Sequence, residues 1–155
     1  VASYVETFVG PGEKVQYLGR ISIYVILPAL IFGGLSILVG AVLAATVGAV
    51  IGIALLALGV IWLVSGLIKR SSTELAVTNR RIIAKFGLIR RSTIELNLSK
   101  VESIRVEQSI MGRLFGFGSV IVTGTGSTMD PISYVADPIK FRQAIEAAVD
   151  AAQKA

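Results

Sequence analysis

The chain has 155 residues, 54% of them hydrophobic and 16% charged, with a formal net charge of +5 and neither cysteine nor histidine. Those two absences exclude disulfides, thiol chemistry, zinc sites of the usual ligand types and every mechanism that needs a histidine base. The charge is unevenly placed: Glu6 and Glu13 balance Lys14 and Arg20, and the whole positive excess falls after Ile68, a distribution suited to an anionic membrane surface or an acidic partner.

Residues 1–20 read as a lead-in. Between Arg20 and Lys69 there is no Asp, Glu, Lys or Arg, and the only polar side chains are Ser22, Tyr24, Ser36, Thr46, Trp62 and Ser65. A helix crossing a hydrocarbon core of about 30 Å needs roughly 20 apolar residues, so residues 21–68 hold two transmembrane helices rather than one. Their turn is expected near Gly40 to Gly48, where Ala44, Ala45, Thr46 and Gly48 are small. The run is too long, and the segment before it too poor in net positive charge, for a secretory signal. Arg20 enters the first helix, Lys69 and Arg70 leave the second, and the turn is uncharged. The positive-inside rule therefore puts both ends in the cytoplasm of a multi-pass inner (plasma) membrane protein. A hairpin bent back within one leaflet would strand backbone groups in lipid.

Gly33, Gly34, Ala41, Ala45, Gly48 and Gly52 put small residues at close or four-residue spacing. They are candidate helix-packing positions, serving either the hairpin's own helices or neighbouring copies of the chain. Pro28 suits a helix entry or a kink. With no ionisable group inside the run, a proton relay or charged transport site has nothing to be built from.

From residue 69 to 155 the pattern becomes that of a separate cytoplasmic domain. Leu75 and Val77 alternate with Glu74, Ala76 and Thr78; Ile82, Ala84 and Phe86 form the inward side of the next strand; Ile94, Leu96 and Leu98 alternate with Thr93, Glu95 and Asn97. Ile104 and Val106 follow in the stretch from Val101 to Gln108, and two further strands are expected at Ser119 to Thr123 and Ile132 to Val135. Asp137 and Pro138 open a helix over about 138–153, whose apolar face carries Phe141, Ile145, Ala148, Val149 and Ala152. The expected class is α+β: a transmembrane hairpin and a strongly bent antiparallel sheet or partial barrel, capped by the C-terminal helix.

A combination of segments resembles a known family. The run Thr73-Glu74-Leu75-Ala76-Val77-Thr78-Asn79-Arg80-Arg81-Ile82-Ile83, then Gly87-Leu88-Ile89-Arg90-Arg91, Lys100-Val101-Glu102-Ser103-Ile104, Gly112-Arg113-Leu114-Phe115-Gly116-Phe117-Gly118 and Asp137-Pro138, after a membrane hairpin, looks like the bacterial pleckstrin-homology-like membrane proteins. Gly12-Glu13-Lys14-Val15 looks like their lead-in. The resemblance implies a fold of seven strands and one helix, the seventh strand coming from Glu13 to Gly19 or from Ile110 to Phe115. It implies no catalytic residue.

The glycines from Gly112 to Gly118 are read as turn or bulge residues, because a phosphate loop leads into a helix and here a strand follows. Gly124-Thr125-Gly126-Ser127 reads as a hairpin loop. Glu74, Glu95, Glu102 and Glu107 fall on solvated faces without a nucleophile or base beside them, so no enzyme, cofactor or metal is expected. Antiparallel pairing brings Arg90 and Arg91 back toward the start of the strand after Lys69 and Arg70, making these four a membrane-proximal cluster for anionic lipid, while Arg80 and Arg81 point to the cytoplasm. Few aromatic residues are placed to stack bases, so nucleic acid is not an expected partner. The function expected is a membrane-anchored interaction or scaffold module that forms homo-oligomers and contacts membrane lipids. A headgroup-sensing module and an oligomeric channel or transport component are the alternatives.

Overall fold

The computed structural model describes residues 9–87, 92–128 and 130–154. Contacts divide the chain into an apolar hairpin, Ile23–Ser71, and a mixed unit formed by the residues on either side of it.

In the hairpin, a 3-10 turn at Ile23–Ile26 leads into helix α1, Leu27–Thr46, and a short link leads into helix α2, Ala49–Ser71. Pro28 lies in the first turn of α1, where its missing N–H breaks no intrahelical bond. At the other end the amides of Val47 and Gly48 both donate to the Leu43 carbonyl, at 2.9 and 3.0 Å, which closes α1 without a charged cap. Both helices are long and apolar enough to cross a membrane. Leu30, Ile31, Leu35, Leu38, Ile51 and Ile61 are among the large side chains turned outward. The hydroxyls bond to backbone: Ser36 donates across the hairpin to the Leu55 carbonyl at 2.9 Å, Thr46 to Val42 and Ser65 to Trp62. Such bonds let a hydroxyl lie in an apolar solvent without a water partner.

In the mixed unit, strands β1 (Val15–Gly19), β2 (Glu74–Thr78), β3 (Arg81–Phe86) and β4 (Ser92–Asn97) form one antiparallel sheet in chain order. A 3-10 turn at Leu98–Lys100 carries the chain into a second sheet. There β5 (Val101–Glu107) pairs with β6 (Phe117–Gly124), and β7 (Ser127–Thr128) and β8 (Ile132–Ala136) pair with the two ends of β6. Helix α3, Ile110–Phe115, lies between β5 and β6, and helix α4, Pro138–Lys154, ends the described chain.

One expectation needs correction, and one alternative is decided. Among the described residues there are two four-stranded sheets, neither closed nor strongly curled, where one strongly bent sheet or partial barrel was expected. The break is at Leu98–Lys100, where three residues of 3-10 turn redirect the chain so that β4 and β5 do not pair. Of the two segments offered for a further strand, Val15–Gly19 is the strand and Ile110–Phe115 is a helix.

The alternation read in β2 to β4 holds. Leu75 stands opposite Ala84 and Val77 opposite Ile82; Ala84 and Ile82 stand opposite Ile94 and Leu96. These residues share one face and meet Val120, Val122, Ile132, Val135, Phe141, Ile145 and Ala148 in the core. Ile132 and Val135 face the same core although their odd spacing would put them on opposite faces of a regular strand. The register shifts here, and Tyr134 takes φ 59°, so a bulge turns Val135 back inward. Ala76 and Ile83, on the opposite face of the first sheet, are covered by Val9 and Val15.

Candidate functional site

Helix packing in the hairpin follows a glycine seam. On α2, Gly52, Gly59 and Gly66 are the buried residues and recur at heptad spacing, which keeps one narrow face toward the partner helix. On α1, Ala29, Gly33 and Gly40 are buried. A Cβ at Gly59 would sit 2.7 Å from the Gly33 carbonyl oxygen, and one at Gly40 would sit 2.9 Å from the Gly52 carbonyl oxygen. A Cβ on Gly52 would collide with Ala44, and one on Gly66 with Ala29. The backbones are therefore in direct contact, as in close-packed membrane helix pairs. Of the six positions singled out from the sequence, Gly33 and Gly52 lie in this seam. Gly34 and Gly48 face open space, and Ala41 and Ala45 are exposed. Gly40, Gly59, Gly66 and Ala29 were missed, although the heptad recurrence on α2 is visible in the sequence.

Lys69 and Arg70 occupy the last turn of α2 and are exposed; cations there also complement the partial negative charge of a helix C-terminus. Arg90 and Arg91, the other half of the expected cluster, lie outside the described residues.

The most organised polar contact in the mixed unit was not foreseen. Glu13, buried, receives Arg81 twice, with Nη2 2.8 Å from Oε2 and Nε 3.0 Å from Oε1. Thr78 donates its hydroxyl to the same carboxylate at 2.6 Å and the Gly10 amide donates at 3.0 Å. Arg81 also reaches Glu95 at 2.7 Å, the diagonal neighbour on β4. The Arg81 hydrogen bond, opposed by burial and aided by Thr78 and Gly10, holds the Glu13 carboxyl at about 2, below its ordinary 4.5. Beside it, Lys14 and Asn79 exchange bonds of 3.0 and 3.1 Å. Together these contacts fasten the lead-in to the first sheet. Arg81, read from the sequence only as pointing to the cytoplasm, is half of that clamp.

At the opposite sheet, α3 begins at Ser109, whose side chain accepts from the Gly112 amide at 3.1 Å, and stops at Gly116, which takes φ 71°. Two grooves flank it. One of about 480 Å³ is lined by Glu107, Gln108, Ser119, Ser133 and the stacked rings of Phe117 and Tyr134, 5.6 Å apart. The other, about 350 Å³, is lined by Arg113, Gly116, Asp137, Pro138, Ile139 and Lys140. Asp137 occupies the position before α4, and its carbonyl accepts from Phe141 at 3.1 Å. Its carboxylate lies 4.0 Å from Lys140 rather than on the first amides. Among the described residues no three acidic side chains gather as metal ligands do.

An apolar hairpin inserted between the first two strands of a unit with two antiparallel sheets and a covering helix defines the class: an α+β domain carrying two helices of membrane-spanning length. Residues 20–149 match the Bacterial PH domain family, and the chain belongs to that family. No curated protein and no solved structure matches it.

Proposed function

We propose that the chain is a non-enzymatic, membrane-anchored Bacterial PH module. Its hairpin crosses the inner membrane twice with both ends in the cytoplasm, and the mixed unit works there as an interaction platform that self-associates and contacts anionic lipid. The observation that carries this reading is the hairpin's surface. Its outward side chains are apolar along both helices, the hydroxyls of Ser36, Thr46 and Ser65 bond to backbone, and the exposed charges stand at the end of α2. Water is a poor solvent for such a surface and lipid a good one.

Self-association has two supports. Gly34, Ala41 and Ala45 recur at helical spacing outside the seam, so α1 keeps small residues for a neighbouring helix after its own partner is served. Among the described residues β1 and β4 are the edges of the first sheet, and strand edges accept further strands. Native mass spectrometry of the protein in lipid nanodiscs tests this. A defined oligomer is expected; a single monomeric species, with cross-linking in the membrane also negative, would refute self-association. An oligomer that also passed ions in reconstituted vesicles would refute the scaffold assignment in favour of a channel.

A further inference from the structure

Among the described residues of the mixed unit the large apolar side chains are buried or half-buried, with one concentration of exceptions. Ile110 is 87% exposed, Leu114 73%, Met111 51% and Phe115 40% on α3, and Ile139 is 55% exposed in the first turn of α4. Among the described residues of that unit, Leu18 is the only other large apolar side chain so exposed. The local structure holds these side chains outward. The residue α3 buries is Gly112, where a Cβ would sit 2.5 Å from the Phe117 carbonyl oxygen. A helix that seats its glycine and presents Ile, Met, Leu and Phe reverses the usual arrangement of an amphipathic helix on a core. Arg113 and Lys140 border the same patch across the groove they share with Ile139. The one acid there, Asp137, is 4.0 Å from Lys140.

We propose that α3 and Ile139 form a wedge that enters the headgroup boundary of an anionic lipid surface, with Arg113 and Lys140 at the level of the phosphates. This rests on the reading of the hairpin as membrane-embedded. Three features favour lipid over a protein occupant. Four of the five side chains project from a short helix rather than line a groove, and acyl chains accept a projection without a complementary shape. Five apolar side chains fall well short of the roughly 20–30 residues a side that a specific protein interface enlists. The bordering cations fit an anionic leaflet, and interfacial helices combine such a basic border with an apolar face. A patch this small would not hold a free protein on a membrane. The chain passes from β1 to the hairpin over residues 20–22 and from α2 to β2 over residues 72–73, so only a few residues tether the wedge's unit to the hairpin and the wedge acts at high effective concentration.

The absence of cysteine makes the test direct. Single-cysteine variants of the full chain, Leu114→Cys on α3, Asp150→Cys on the exposed side of α4 and Phe32→Cys on the hairpin, are labelled with an environment-sensitive fluorophore. They are placed in nanodiscs of mixed phosphatidylcholine and phosphatidylglycerol carrying a nitroxide lipid. The labels at 32 and 114 are expected to be quenched several-fold more than that at 150. Arg113→Gln should lower the inserted-to-free ratio of label 114 by roughly fivefold, and Ile110→Asp should lower it further. All five substituted residues are exposed, so the fold is retained. A quenched label 32 beside a label 114 that behaves like label 150 overturns the wedge and leaves the anchor standing. An unquenched label 32 overturns the anchor itself. Label 114 hidden from aqueous iodide yet untouched by the nitroxide lipid would mean a protein occupant and would also overturn the proposal, as would equal quenching in discs of phosphatidylcholine alone.

Discussion

Glu13→Gln removes one charge from the clamp on the first sheet while leaving its shape almost unchanged. In the native chain the carboxyl is held at about 2 against an ordinary 4.5, chiefly by the Arg81 bond. At about 1.4 kcal/mol per decade that interval corresponds to about 3 kcal/mol of stability at neutral pH. Because the folded value is the lower one, the contribution is complete above 4.5 and is lost as pH falls toward 2; at pH 3 about 1.4 kcal/mol of it remains. The glutamine variant has no such charge to lose. Urea unfolding of the full chain in nanodiscs, followed by circular dichroism over the constant signal of the hairpin helices, should show the variant about 3 kcal/mol less stable at pH 7. The gap should halve by pH 3 and nearly vanish at pH 2. A difference under about 1 kcal/mol at pH 7 would place the pair among exposed ion pairs of little consequence. A gap that persisted unchanged at pH 2 would show that packing rather than charge was lost.

Other substitutions test the packing of each unit. Gly59→Leu should destabilise the hairpin by about 1–3 kcal/mol because its side chain meets Ile37 and the Gly33 carbonyl. Detergent-induced unfolding followed through Trp62, which lies 5.6 Å from Phe32, would show it, whereas Ile51→Leu, at an outward position, should leave the midpoint unchanged. Phe141→Ala, at a fully buried ring 6.0 Å from Tyr17, should cost about 3–5 kcal/mol in the mixed unit; an unmoved urea midpoint would remove α4 from the core. Ser109→Ala should cost α3 about 1 kcal/mol, read as faster amide exchange confined to residues 110–115, and unchanged exchange would deny the cap its role.

The parts of the fold set by a local period were legible in the sequence. Leu75 and Val77, Ile82 and Ala84, and Ile94 and Leu96 face the core as their alternation requires, and Phe141, Ile145 and Ala148 do so at helical spacing. Period fixes which face is buried but not which strand pairs with which, so the redirection at Leu98–Lys100 and the resulting second sheet were not readable. Helix α3 was obscured because Ile110, Leu114 and Phe115 suit a strand as well as a helix. The signals that decide for helix are Ser109 before it and Gly116 after it, a cap and a left-handed stop. The Glu13–Arg81 pair is separated by β1, the whole hairpin and β2, 68 residues along the chain, so no local pattern announces it. In the hairpin, close or four-residue spacing drew attention to Gly34, Ala41 and Ala45, while the contact follows the heptad through Gly52, Gly59 and Gly66.

Two helices with an apolar surface and an uncharged turn carry the membrane reading, and everything proposed about lipid contact depends on it. Accessibility of single cysteines in intact cells tests it most directly, using Val47→Cys in the exposed link between α1 and α2 and Lys100→Cys in the mixed unit. An impermeant maleimide should label position 47 from outside and position 100 only after the inner membrane is opened. Labelling of both positions from the same side, or extraction of the chain from the membrane by alkaline carbonate, would contradict the account.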